Sequence, residues 1–113
     1  MHLDSYEFGH LVIDGVSYHQ DLLIWPGHIQ SNWWRAESHL LQIADVFEAL
    51  AAAPRILVVG TGLPGRLVVD KALAAHLEDL GIDLVVKPTR EACREINQLA
   101  GKRPWAAALH LTC

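Results

Sequence analysis

Two uninterrupted apolar runs, Ile56-Leu57-Val58-Val59 and Leu84-Val85-Val86, constrain this chain more than any other feature. A strand with no polar face is covered on both sides, as in a parallel sheet flanked by helices. A helical stripe lies between the runs: Leu73, Leu77 and Leu80 share a face, Asp70 stands near the start and Gly81 holds the C′ position. After the second run, Thr89 is placed to cap another helix, with Glu91 complementing its dipole. That helix directs Ala92, Ile96, Leu99 and Ala100 inward and stops at Gly101, and Trp105 to Leu111 forms the last strand. The second half is therefore β-α-β-α-β, and the two apolar runs should be joined by a right-handed crossover and lie parallel. Pattern alone leaves the polarity of the last strand open.

The first half reads as a meander. Phe8, His10 and Val12 alternate with Gly9, Leu11 and Ile13; Asp14-Gly15 suits a two-residue hairpin; Val16 and Tyr18 begin the return strand. A third strand, Leu22 to Trp25, halts at Pro26-Gly27. Ser31-Asn32-Trp33-Trp34-Arg35 is a short strand or an ordered loop. Ile43, Val46, Phe47 and Leu50 then trace one helical stripe ending before Pro54. With 113 residues, 51% of them hydrophobic and 19% charged, the chain supports one packed core. The expectation is a single α/β domain over residues 1–113, a central mixed sheet flanked by helices with an N-terminal hairpin and meander.

Charge and composition remove several classes of function. The net charge is −4 and the nine Lys and Arg residues are scattered, so no nucleic-acid partner is expected. The longest apolar stretch, Ala49 to Ala53, is far short of bilayer length, and the N-terminus lacks secretory or transit-peptide character; no membrane partner is expected. Cys93 and Cys113 are read as reduced thiols in a cytoplasmic protein.

The loop Gly60-Thr61-Gly62-Leu63-Pro64-Gly65-Arg66 follows a strand and precedes a helix. It satisfies G-x-G-x-x-G literally, yet it lacks the Lys-Ser/Thr of a P-loop, and the next strand ends Val86-Lys87-Pro88 without the acidic residue a dinucleotide ribose needs. No cofactor is assigned. What survives is a crevice beyond the strand ends in which Gly60, Thr61, Gly62, Thr89 and Arg90 accept a small anion, with Arg66 as a second source of charge. The seven histidines form no metal-ligand pattern, and His110 and Cys113, three apart in a strand, face opposite ways; no metal is assigned. Cys93 reads as a buried thiol, Asp21 as a carboxylate hydrogen-bonded to backbone donors, and Asn97 as bonded to neighbouring backbone. No G-x-S-x-G elbow is present and no catalytic residue is assigned. Trp33 and Trp34 are adjacent, so one of them should reach the surface; together with Arg35 they form a candidate interface for a protein partner or for self-association.

Several stretches in order resemble the Mth938-like family, also called DUF498. They are Ile13-Asp14-Gly15 with Tyr18 and Asp21; Trp34 and His39; Val58-Val59-Gly60-Thr61-Gly62; Thr89-Arg90-Glu91-Ala92-Cys93 with Asn97 and Leu99; and Ala106-Ala107-Ala108-Leu109-His110-Leu111. The resemblance implies a three-layer α/β fold whose mixed sheet has one strand opposed to the rest. It implies little chemistry: animal relatives include a mitochondrial factor that assists assembly of respiratory complex I, and this chain shows no mitochondrial presequence. The leading expectation is thus a non-enzymatic protein-binding or assembly-type factor. The alternative is a small ligand-binding protein or enzyme using the Gly60-Thr61-Gly62 crevice.

Overall fold

The computed structural model describes residues 1–113. Its middle layer is a five-stranded sheet in the order β5 (His28–Gln30), β4 (Leu22–Trp25), β10 (Trp105–Leu109), β7 (Ile56–Gly60), β9 (Asp83–Lys87). β10 runs parallel to β7, and β7 to β9, whereas β4 is antiparallel to both β10 and β5. One strand is therefore opposed to the other four. A mixed sheet with a single opposed strand is what the resemblance in sequence implied.

Alternation along the strands feeds two separate cores. Ile56, Val58, Ala107 and Leu109 face one side, where α3 (Thr89–Leu99) and a three-stranded meander cover them. The meander consists of β1 (Leu3–Glu7), β2 (His10–Ile13) and β3 (Val16–Tyr18). Leu57, Val59, Ala106 and Ala108 face the other side, beneath α2 (Lys71–Leu80) and a 3-10 turn, Ile43–Val46, that runs into α1 (Phe47–Ala51). A two-stranded parallel pair, β6 (Leu40–Leu41) with β8 (Val68–Val69), completes that layer. The alanines of β10 are fully buried, and their small side chains let both covering layers approach the central strand.

Asp14 and Gly15 both take positive φ, 49° and 80°, closing β2 onto β3 as the Asp-Gly dipeptide requires. Asp70 caps α2, its carboxylate accepting from the Ala72 amide, and Gly81 ends that helix. Asn97 reaches out of α3: its Oδ1 accepts from the Leu3 amide and its Nδ2 donates to the Leu3 carbonyl, both at 2.9 Å. It bonds to backbone as expected, but to a strand at the opposite end of the chain, which ties β1 to the helix.

Several elements differ from their reading in sequence. β9 lies beside β7 in register, Leu57 opposite Leu84, yet it is the rim of the sheet: Leu84 and Val85 are half-buried and Val86 is exposed. The inner position falls to β10, which inserts between β4 and β7 and leaves β9 a single neighbour. β1 was invisible because a register shift between Leu3 and Ser5 breaks the period of two, so the inward residues Leu3 and Tyr6 stand three apart. Phe47 and Leu80, assigned to apolar stripes, point to solvent, and Ala100 is exposed. Pro88 occupies the N-cap of α3; Thr89 lies inside the helix and its hydroxyl donates instead to the His110 carbonyl at 2.6 Å. The last strand ends at Leu109, two residues early.

Candidate functional site

Past β10 the chain continues as His110–Cys113 and fills the space beyond the strand ends. The His110 amide donates to Gly60, the Leu63 amide to the Thr112 carbonyl and the Arg66 amide to the Cys113 carbonyl. The Leu111 carbonyl accepts from the Gly9 amide and from the buried Tyr6 hydroxyl, both at 2.7 Å. The glycine loop is thus closed over by the C-terminal segment. Gly60, Thr61, Gly62 and Thr89 do come together there, all buried. Their donors, however, already have protein acceptors: Gly62 N–H meets Thr89 Oγ1 at 2.8 Å, and Thr61 donates through both its amide and its hydroxyl to the Lys87 carbonyl. Arg90 is apart from them, exposed, with its guanidinium 5.9 Å from the Tyr6 ring centre. The cradle expected for an anion is therefore built, but its amides face protein.

Gly62 carries the closest approach. Its φ is +100°, and a Cβ there would lie 2.1 Å from the Thr112 carbonyl oxygen and 2.8 Å from His110 Cδ2. Only glycine lets the loop, the C-terminal segment and the His110 ring share this space.

Beside the loop sits a largely buried polar node drawn from three parts of the chain. Asp21, just before β4, accepts from Arg35 Nη1 at 2.8 Å through Oδ2, and from the Leu111 amide at 2.8 Å through Oδ1. His110 Nδ1 lies 2.8 Å from the same Oδ2. A nitrogen that close to an ionised carboxylate carries the proton, and in the neutral form of the ring that leaves the lone pair on Nε2. Nε2 is buried and has no hydrogen-bond partner. Exposed His39 packs edge-on against the ring with centroids 5.8 Å apart. Burial pushes the Asp21 carboxyl up, but hydrogen bonds from His110, the Leu111 amide and Arg35 outweigh that and hold it below its ordinary value.

The same node shapes the loop between β5 and β6. Arg35 is only 5% exposed; besides Asp21 it donates through Nε and Nη2 to the Ser38 carbonyl, and its guanidinium lies 5.0 Å from the Trp33 ring centre. Trp33 turns into the core and donates from Nε1 to the Asp45 carbonyl at 3.0 Å. The Asp45 carboxylate accepts from the Ala36 and Gln42 amides. With both its neighbours anchored inward, Trp34 has only the outward direction, and it is 80% exposed. Of the three candidate interface residues, Trp34 alone presents its side chain; Trp33 and Arg35 hold it in place. Phe47, 68% exposed, stands across a groove of about 390 Å³ whose wall includes Leu23, Trp33 and Ala44 and whose rim bears Asp45 and Glu48.

Cys93 lies buried on α3, where desolvation pushes its thiol up to about 12, far from a thiolate at neutral pH. The histidines, cysteines and carboxylates form no group of three able to hold a metal ion.

The family model described as "protein of unknown function (DUF498/DUF598)" matches residues 3–110. The chain belongs to this family. A conserved hypothetical protein from Pyrococcus horikoshii OT3 is similar over 100% of both chains, at 30% identity and a TM-score of 0.89. A Xanthomonas campestris protein covers 96% of this chain and 83% of its own, at 23% identity and a TM-score of 0.81. A Mth938-like domain from Bordetella pertussis covers 97% and 85%, at 19% identity and a TM-score of 0.65. At these lower identities the likeness concerns the fold. Within this DUF498/DUF598 member, several of the residues that carried the resemblance in sequence converge: Asp21 and His110 form the node, His39 packs on the His110 ring, Gly62 and Thr89 border His110, and Trp34 is displayed beside Arg35. In sequence Arg35 reads as a surface interface residue beside the paired tryptophans; its pairing with Asp21 and His110 carried no sequence signal, because those partners lie far away in the chain.

Proposed function

We propose that this domain is a non-enzymatic protein-binding module of an assembly type, working in a reducing, cytoplasmic compartment. Trp34 is its docking residue, and the groove between Trp34 and Phe47 receives an apolar segment flanked by Lys or Arg. The observation that carries this reading is a large aromatic side chain held 80% exposed by a loop anchored on either side of it. Exposed apolar surface costs solubility, and tryptophan is the residue most enriched where binding energy concentrates. An anchored loop also loses little conformational entropy on docking. Glu48 and Asp45 on the rim, and a net charge of −4, favour a basic flank on the partner.

Photocrosslinking from position 34 in the native cell, with Lys102 as a control position, identifies the partner for quantitative binding. Trp34→Ala is then expected to leave the unfolding free energy within about 0.5 kcal/mol of the parent and to weaken binding roughly 30-fold or more. Unchanged affinity for the identified partner would remove Trp34 from the interface.

A second reading rests on the unpartnered Nε2 of His110. A buried acceptor without a donor is costly, and it favours a small molecule that brings an O–H or N–H. His39, exposed and edge-on, is the group such a ligand displaces. Because the loop amides are occupied, the expected class shifts from an anion toward a hydrogen-bond donor. Titrating acetic acid, phosphate and ammonium while following the His110 ring nitrogens and the Gly60–Gly62 amides checks it: shifts confined to these groups support the reading, and unmoved resonances reject it.

A further inference from the structure

The sheet is open at β9, and the two ladder bonds at its ends fix which backbone groups face outward. The Asp83 amide donates to the Arg55 carbonyl and the Lys87 carbonyl accepts from the Thr61 amide, so residues 83, 85 and 87 turn their N–H and C=O toward β7. Leu84 and Val86 therefore turn theirs away from the sheet, where β9 has no neighbour. The side chains along this edge run Asp83-Leu84-Val85-Val86-Lys87, acidic at one end, basic at the other, apolar between.

That order is complementary to its own reversal. Antiparallel pairing of two such strands about a two-fold axis at Val85 places Leu84 opposite Val86 of the second copy. Both have outward backbone groups, so each of the two Leu84–Val86 pairs exchanges two N–H···O bonds. Asp83 then falls opposite Lys87 in a non-hydrogen-bonded pair, the arrangement in which cross-strand side chains are closest. Asp83 already binds Arg103 at 2.7 Å, and Lys87 binds Glu95 at 3.2 Å. Each end of the joint would carry four charges of alternating sign, Arg103, Asp83, Lys87 and Glu95. Exposed Val86 would gain the half-buried Leu84 of the second copy as a neighbour. The opposite edge, β5, has three residues and no such charge pattern, and β3 offers only Val16, Ser17 and Tyr18.

We infer that two copies of this chain join through β9 as a two-fold symmetric antiparallel pair centred on Val85, making one ten-stranded sheet. This is an isologous interface and therefore closes as a dimer. Its area is small and its charges lie at the surface, so the dimer is concentration-dependent and weakens as salt is raised. It is independent of the Trp34 groove, which lies on another part of the molecule.

Sedimentation equilibrium of the full chain across the micromolar-to-millimolar range tests it. The parent is expected to dimerise; D83K and K87D, each turning two attractive pairs repulsive, raise the dissociation constant roughly tenfold or more. The double variant D83K/K87D recovers most of the parent affinity. V86P removes an outward N–H that the monomer leaves unused, and is expected to abolish the dimer while leaving the fold intact; should it fail to fold, the charge series decides alone. A parent that stays monomeric throughout, a dimer indifferent to both reversals, or a dimer lost in W34A while surviving D83K would each overturn the inference.

Discussion

Replacing Asp21 with alanine is expected to cost roughly 3–5 kcal/mol, because it strips the counter-charge from a guanidinium that is largely withdrawn from water. The Arg35 side chain is 5% exposed, and Asp21 is the acceptor that also serves His110 Nδ1 and the Leu111 amide. Urea unfolding measures the loss, and a loss under 1 kcal/mol would show that the node contributes little. Asp21→Asn, which keeps the shape and one acceptor, should fall between the two. The pH dependence has a defined sign. The folded-state carboxyl sits below its ordinary value of 3.8. Its contribution is therefore fully present above about pH 4 and drains away as pH falls through the depressed value. The parent should lose stability on acidification over that window, and Asp21→Asn should lack this limb of the curve. Alanine should also loosen the loop that displays Trp34, visible as a red shift and greater quenching of tryptophan fluorescence.

Gly62→Ala is the second severe change, expected to cost roughly 4 kcal/mol or more, or to prevent folding. The added methyl meets the Thr112 carbonyl and the His110 ring at once, in a backbone conformation that an L-residue resists. Gly15→Ala is the matched control: its φ is +80°, yet nothing lies within 4 Å of the new methyl. That variant isolates the backbone strain, roughly 1–2 kcal/mol. Thermal and denaturant unfolding of both separate strain from collision. Equal losses at the two positions would mean that the C-terminal segment yields easily and that the closure over the glycine loop is soft. If Gly62→Ala folds at all, His110 ring signals should report the displacement.

Trp34 shows how local residue order and distant contacts divide the explanation. Adjacency of Trp33 and Trp34 already implied that one ring must reach the surface. Which one depends on Asp45 and Asp21, the partners that draw Trp33 and Arg35 inward. The glycine loop divides in the same way. Its place after a buried strand was readable, but its amides are occupied by Thr89 and by the C-terminal residues, contacts that no spacing within the loop encodes.

The sequence by itself determined the elements whose signals are local: the runs that became β7 and β9, the stripe and caps of α2, the Asp-Gly hairpin, a buried Cys93 and the mixed α/β class. Periodicity, capping and turn chemistry act over a few residues and do not depend on the rest of the chain. Tertiary structure alone decided which strand is central, which is the rim, and where the chemistry gathers. Strand order is set by which pairings bury both sheet faces together, so β10, last in the chain, took the middle and left β9 exposed. Asp21, Arg35 and His110 meet for the same reason: desolvated polar groups must find one another wherever the topology brings their elements side by side.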